Sequence, residues 1–262
     1  VVWLCLCLPG FAWEAVLVKD SAPQAVLCVA PEVLTNKGPV ALAILDLQRC
    51  LEKMSGARLD ILTNAPARGD RRLPILIGDL AVEKFGRLDT SPFKQGWRMV
   101  SKKKGLGLYG ETDEGTVYAI YEVLDQLGCR WFMPSDLGEV IPERKTIRLA
   151  SQDLRQVPAT TYRNVWYADA DFQRRNRLGG FYLACSHAIG GDVCRGDPAV
   201  RHSIATNLIA GLKAHYSSSL SLSPADTISF CQCAQCKALD TGDWDPSMNC
   251  MSLSDRMVSF AN

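Results

Sequence analysis

Short apolar runs alternate with stretches of helical period from residue 16 to about residue 150, and no other feature of the chain restricts its fold as much. Val16-Leu17-Val18 and residues 25–29 read as strands. Pro39 then opens a helix in which Val40, Ile44, Leu47, Leu51 and Met54 recur at spacings of three and four, so they share one face. Gly56 follows in the place where a left-handed residue ends a helix. Residues 59–62 read as a strand, 64–72 as a polar loop, 73–77 as a buried strand closed by Gly78, and 81–85 as a short helix. Residues 97–100 and 106–109 form a hairpin around Lys102-Lys103-Lys104-Gly105, and its lysines suit a solvated turn better than a binding patch. A second helix follows, capped by Thr112 or Asp113, with Val117, Ile120, Tyr121 and Leu124 toward the core. It ends at Leu127-Gly128, and a strand over 129–132 comes next. One-sided helices alternating with strands predict a layered α/β or α+β domain over residues 16–155.

Gln156-Val157-Pro158 reads as a linker to a second domain over 158–262. Strands are expected at 161–166, 181–187 and 220–223. A short helix is expected at 174–178, and a longer one at 199–214 carries Ile204, Leu208 and Leu212 on one face. A last helix, capped by Ser254 or Asp255, bears Met257, Val258 and Phe260. Its apolar pattern is still running at Asn262, so the sequence is expected to be a piece of a longer chain. Residues 1–12 are apolar up to Pro9-Gly10, and Gly10-Phe11-Ala12 has the small-x-small form of a cleavage site. They read as the remnant of a signal peptide, which places the protein outside the cytoplasm, secreted or periplasmic. No later stretch is long and apolar enough to be a membrane helix. The net charge of +1 gives no electrostatic case for nucleic acid.

Of the 11 cysteines, two lie in residues 1–12. Secretion permits disulfides among the other nine. Cys231, Cys233 and Cys236 form Cys-x-Cys-x-x-Cys, which suits either disulfides or three thiolates of a structural zinc. No histidine lies nearby, so Cys250 is the nearest candidate for a fourth ligand. Cys28, Cys50 and Cys129 are expected in the core.

Three stretches carry a family resemblance. Gly110-Glu-Thr-Asp-Glu-Gly-Thr-Val-Tyr-Ala-Ile-Tyr-Glu-Val-Leu-Asp-Gln-Leu-Gly-Cys-Arg-Trp-Phe-Met-Pro134, followed by Gly138-Glu-Val-Ile-Pro142, resembles the end of the accessory domain that precedes the barrel in family 67 α-glucuronidases and family 20 hexosaminidases. Tyr162-Arg-Asn-Val-Trp166 with Arg175-Asn-Arg177 is the second. Leu220-Ser-Leu-Ser-Pro-Ala-Asp226 with Phe230-Cys-Gln-Cys-Ala-Gln-Cys-Lys237 and Ser254-Asp-Arg256 is the third. In this order they resemble the secreted bacterial proteins called domain of unknown function 4838. The resemblance implies an α+β accessory domain followed by the first part of a truncated (β/α)8 barrel, with activity on carbohydrate. One departure is visible: His187 is followed almost at once by Gly190-Gly191 and Cys194, so a barrel loop is expected to be shortened.

Glycosidases commonly work with two carboxyl groups, carried in a barrel at the C-terminal strand ends. In the related enzymes they come from middle or later strands, so the catalytic acids are expected outside this sequence. Asp169, Asp171 and Asp226 suit capping or loop solvation. The resemblance places Arg163 where related glycosidases set an arginine against sugar hydroxyls, although a structural ion pair fits equally. Trp166 could stack on a sugar or fill a core, and His187 could bind a hydroxyl or serve structure. Arg175 and Asn176 are further substrate-binding candidates on what is otherwise a solvated face. The expected partner is a poly- or oligosaccharide. The protein is then a glycoside hydrolase when full length and inactive as this piece, or a non-catalytic polysaccharide-binding module. A metal-dependent module built on the cysteines is a third reading, and no cofactor beyond a structural zinc is implied.

Overall fold

Residues 25–28, Ala-Val-Leu-Cys, are all fully buried, as befits a strand covered on both faces. The computed structural model, which describes residues 13–184, 186–187, 189–214, 219–227, 229–247 and 249–262, sets this strand inside a six-stranded sheet. The order is Gln152–Gln156, Trp97–Lys102, Gly105–Gly110, Leu73–Ile77, Ala25–Cys28, Ile61–Leu62. The last four strands run parallel. Trp97–Lys102 pairs antiparallel with both its neighbours, and the expected hairpin is one of these pairs.

The period of two along a strand separates the two faces. Ala25, Leu27, Ile75, Ile77, Leu106 and Leu108 face the larger core cluster, whereas Val26, Cys28, Leu76 and Tyr109 face a smaller one with Ala81. Helices Pro39–Ser55 and Asp113–Gln126 supply the larger cluster and pack on each other. Helix Asp79–Phe85 supplies the smaller one. Gly56 closes the first helix at φ 75°, its N–H donating to the Glu52 carbonyl at 2.7 Å. Thr112 is the N-cap residue of the second, but its hydroxyl donates to the Lys94 carbonyl at 3.2 Å and caps nothing. Cys28, Cys50 and Cys129 are buried, as expected. A three-stranded sheet of Ile147–Ala150, Glu14–Lys19 and Ala22–Pro23 completes the layer.

This first compact unit continues beyond the loop at 156–158, to Gly180. Tyr162–Arg163 pairs antiparallel with Gly179–Gly180, so the strand expected over 161–166 is two paired residues long. The short helix lies at Ala170–Arg175, earlier than expected, because Asp169 caps it by accepting the Phe172 N–H at 2.7 Å.

The second unit begins at Phe181. Its helix Pro198–Ala214 falls where the sequence put it. Residues 181–187 and 220–223 form no ladder among the described residues. Serine side chains take up the main-chain groups instead. Ser219 Oγ accepts from the Ala184 N–H at 2.8 Å, and Ser221 Oγ donates to the Ser186 carbonyl at 2.5 Å. The main-chain links found there are an isolated parallel bridge between Ile189 and Pro224 and, among others, a bond from the Ser219 N–H to the Tyr182 carbonyl at 2.8 Å. A hairpin, Trp244–Asp245 with Cys250–Met251, and helices Ala234–Lys237 and Ser254–Ala261 follow. Among the described residues of this unit, Ile189 and Cys236 are the buried hydrophobic residues. Residues 1–12, read above as a signal remnant, and the side chain of Cys250 lie outside the described residues. Among the described residues no helix is long and apolar enough to cross a membrane.

Candidate functional site

Residues 158–180 carry Arg163, Arg174, Arg175 and Arg177, and each guanidinium meets an acceptor on the helices of the first unit. Asp46, buried on the Pro39–Ser55 helix, is the main anchor. Its carboxylate accepts from Arg175 at 3.0 and 3.2 Å, Arg49 at 3.2 Å, Arg174 at 3.4 Å and the Tyr121 hydroxyl at 2.7 Å. Burial pushes the Asp46 pKa up, but the hydrogen bonds from Arg175 and Tyr121 and the charges of Arg175 and Arg49 outweigh it and hold the carboxyl below its ordinary value. Glu139 accepts from Arg49 at 2.6 and 2.8 Å, Lys53 at 2.9 Å and Trp131 Nε1 at 3.0 Å. The Arg49 bonds, aided by Lys53 and Trp131, hold it far below the usual carboxylate range. Arg177 pairs with Glu122 and reaches Asp125 at 3.5 Å.

Arg163 is similarly engaged. It donates to the Tyr118 hydroxyl at 2.5 Å, Gln95 Oε1 at 2.8 Å, the Thr160 carbonyl at 2.5 Å and the Arg177 carbonyl at 3.2 Å. Four of the five N–H donors of a guanidinium are therefore used inside the protein. Tyr118 in turn donates to Glu114 at 2.6 Å, and Glu114 accepts the Gly180 N–H at 2.5 Å. Asn176 Nδ2 caps its own helix at the Phe172 carbonyl, 3.0 Å away. Of the arginine and asparagine candidates, Arg163, Arg175 and Asn176 are thus bound up in fastening 158–180 to the unit.

Trp166 is placed differently. It is 65% exposed and tilted against Tyr167, 98% exposed, with ring centroids 5.8 Å apart. Tyr167 has φ 61°, in the left-handed region. A core Trp is excluded, and the exposed pair can offer an aromatic face to a ligand. A cleft of about 280 Å³ in the same unit is lined by Trp131, Asp136, Asp169, Asp171, Phe172 and Arg175, among others. Arg175 stands over the Trp131 ring at 5.9 Å. The cleft offers the carboxylates of Asp136, Asp169 and Asp171 as acceptors for hydroxyl groups, while the Trp131 ring is 6% exposed and the Arg175 guanidinium is already bonded to Asp46. Asp169 is committed to its helix cap, and Asp171 to Arg174 at 2.7 Å.

In the second unit, both ring nitrogens of His187 face oxygen: Nδ1 lies 2.9 Å from the Pro224 carbonyl and Nε2 3.2 Å from Asp226. Cys231, Cys233 and Cys236 come together as expected, and their fourth neighbour is Cys194. All four sulfurs lie within 4.8 Å of one another. Cys194 Sγ stands 3.5 Å from Cys233 Sγ and 3.7 Å from Cys236 Sγ. Cys233 accepts the Cys236 N–H at 3.4 Å, and Cys236 accepts the Gly196 N–H at 3.2 Å. The Cys236 N–H and the Cys194 thiol bring the Cys233 thiol down to about 7. Sequence reasoning named neither Asp46, nor Glu139, nor Cys194 as part of a site. The unfilled fourth place beside Cys-x-Cys-x-x-Cys was the one clue to Cys194.

No family profile matches the sequence, and no curated protein matches it. Among solved structures, the chain is similar to a family GH115 4-O-methyl-α-glucuronidase, BtGH115A, described as having specificity for decorated arabinogalactans. The match has 19% identity and a TM-score of 0.52, over 84% of this chain and 38% of that one. A mutant Streptomyces plicatus β-hexosaminidase matches at 13% identity and TM-score 0.37, over 59% of this chain and 25% of that one. The GH20 β-N-acetylhexosaminidase of Streptomyces coelicolor A3(2) matches at 11% and 0.36, over 76% and 30%. The chain thus spans less than two fifths of the length of these structures. The glucuronidase likeness bears on the fold, a mixed α/β architecture found in a glycoside hydrolase.

Proposed function

We propose that the protein is carbohydrate-active: the α+β accessory domain and the opening of a (β/α)8 barrel of an extracytoplasmic glycoside hydrolase, which takes a poly- or oligosaccharide. The observation that carries this reading is the fold shared with the glucuronidase over 84% of the chain. The sequence resemblance at 110–142, 162–177 and 220–256 points the same way. Further support comes from the second unit, which joins Ile189 to Pro224 in the parallel sense of a barrel and buries few apolar side chains, as an element made to pack against further strands would. The catalytic carboxyl pair is assigned to those further strands, since Asp169 and Asp171 are spoken for. The secreted or periplasmic location expected from residues 1–12 belongs to the same proposal.

The contribution of this chain is then to bind sugar rather than to cleave it, through the Trp166–Tyr167 pair and the cleft beside Trp131. The test is binding of decorated plant and bacterial polysaccharides by affinity electrophoresis and calorimetry. Trp166→Ala is expected to weaken binding about tenfold, ~1.4 kcal/mol, the scale of one lost aromatic contact. Aryl glycosides are expected to stay intact in its presence. Hydrolysis by this chain would sink the assignment of the catalytic acids elsewhere. Undiminished binding by Trp166→Ala would remove the aromatic pair from the site.

A further inference from the structure

We infer that Cys194, Cys231, Cys233 and Cys236 form a closed tetrathiolate zinc site that holds the second unit together. Four thiolates around Zn²⁺ at about 2.3 Å form a tetrahedron whose edges are about 3.8 Å. The sulfurs of Cys194 lie 3.5 and 3.7 Å from those of Cys233 and Cys236, and all four fall within 4.8 Å. A disulfide needs about 2.05 Å, so the spacing is that of a shared metal. An all-sulfur tetrahedron selects zinc or iron among the common ions. With four protein ligands the site has no open position for substrate, so its role is structural.

A second, independent observation is Arg195, next to Cys194. It is 1% exposed, and its Nε has no hydrogen-bond partner among the described residues. It donates to the carbonyls of Ile189, Gly190, Gly191 and Val193 at 3.0 to 3.3 Å. Among the described residues no carboxylate lies within ion-pair distance of it. Phe230 and Phe260 have their ring centroids 5.8 and 5.5 Å from its guanidinium carbon. A buried cation without a counter-ion is costly. Four neutral thiols offer none at contact distance, whereas four thiolates on Zn²⁺ carry a net charge of −2. Arg256, the other buried arginine of the unit, already has its partner in Asp240, at 2.6 and 2.9 Å.

The local chain is shaped for the site. A Cβ on Gly196 would lie 2.5 Å from the Gln235 carbonyl carbon and 2.6 Å from the Cys236 nitrogen. Glycine therefore lets the Cys194 loop close onto the Ala234–Lys237 turn and donate its N–H to Cys236 Sγ. Small units with little apolar burial commonly depend on such a staple.

The test is zinc content of the full chain by plasma emission after gel filtration, with peptide mapping without reductant and Co²⁺ substitution. One zinc per chain, no disulfide at Cys194, and intense thiolate-to-cobalt absorption are expected. Cys194→Ser should lower zinc affinity on the order of 100-fold or more, beyond what loss of an outer-shell partner costs. Cys194→His, which keeps a ligand, should retain the metal and guards against a variant that merely misfolds. Metal-free protein after growth in zinc, iron in its place, disulfide-linked peptides at Cys194, or full zinc retention by Cys194→Ser would each overturn the site. None of these readouts depends on carbohydrate, so the zinc assignment and the functional proposal fail separately.

Discussion

Asp46 receives hydrogen bonds from three arginines and a tyrosine, and nothing in the sequence had marked it for that role. Asp46→Asn removes the charge that Arg174 and Arg175 were brought in to meet. Breaking a buried pair from one side typically costs about 3–5 kcal/mol, so a loss near 3 kcal/mol is expected in urea unfolding. The pH dependence has a definite sign. Asp46 and Glu139 have folded pKa values below their unfolded ones. Their stabilisation is therefore complete above about pH 4, where the unfolded carboxyls ionise. It is lost as pH falls from there toward the depressed folded values. The melting temperature should fall as pH drops below about 4, and fall less in Asp46→Asn. The sequence did mark Arg163, Arg175 and Asn176 as unusual, but it could not show that their partners lie inside the protein. Arg175 and Asp46 are 129 positions apart, and nothing local joins them.

At the scale of elements, the parts governed by periodicity were legible: the Pro39–Ser55 helix with its Gly56 stop, the 97–109 hairpin and the Pro198–Ala214 helix. The strands at 181–187 and 220–223 were not, because serine hydroxyls compete there for the groups a ladder would use. The contact between Gly110 and Gly115 was equally invisible. A Cβ on Gly110 would meet the Gly115 carbonyl carbon at 2.3 Å, and one on Gly115 the Gly96 carbonyl oxygen at 2.5 Å. These are backbone atoms, so no side chain can turn aside. Gly110→Ala should cost about 3 kcal/mol, the upper part of the usual overpacking range. Circular dichroism melting would show it, and a variant as stable as the parent would mean that the strand and helix can separate.

As a whole molecule, the chain joins a unit with a large two-sided core to one with few buried apolar residues. The thermal unfolding of such a protein should not be two-state. Two transitions are expected by calorimetry, and a strong chelator should abolish or lower the second while leaving the first in place. A single transition unmoved by chelator would contradict the zinc staple. The arginines of 158–180 bear on a different matter, the way genes of this kind can be recombined. The proline-bearing stretch at 156–158 looks like a natural seam for exchanging the N-terminal part of the chain between related proteins. A crossover there would part Asp46 from Arg174 and Arg175, Glu122 from Arg177 and Glu114 from the Gly180 N–H, leaving a recombinant whose buried carboxylates have lost a large share of their partners. A crossover after Gly180 would carry the whole clasp with its owner, so viable chimaeras should join at that point and those cut at 156 should be recovered mostly as insoluble protein.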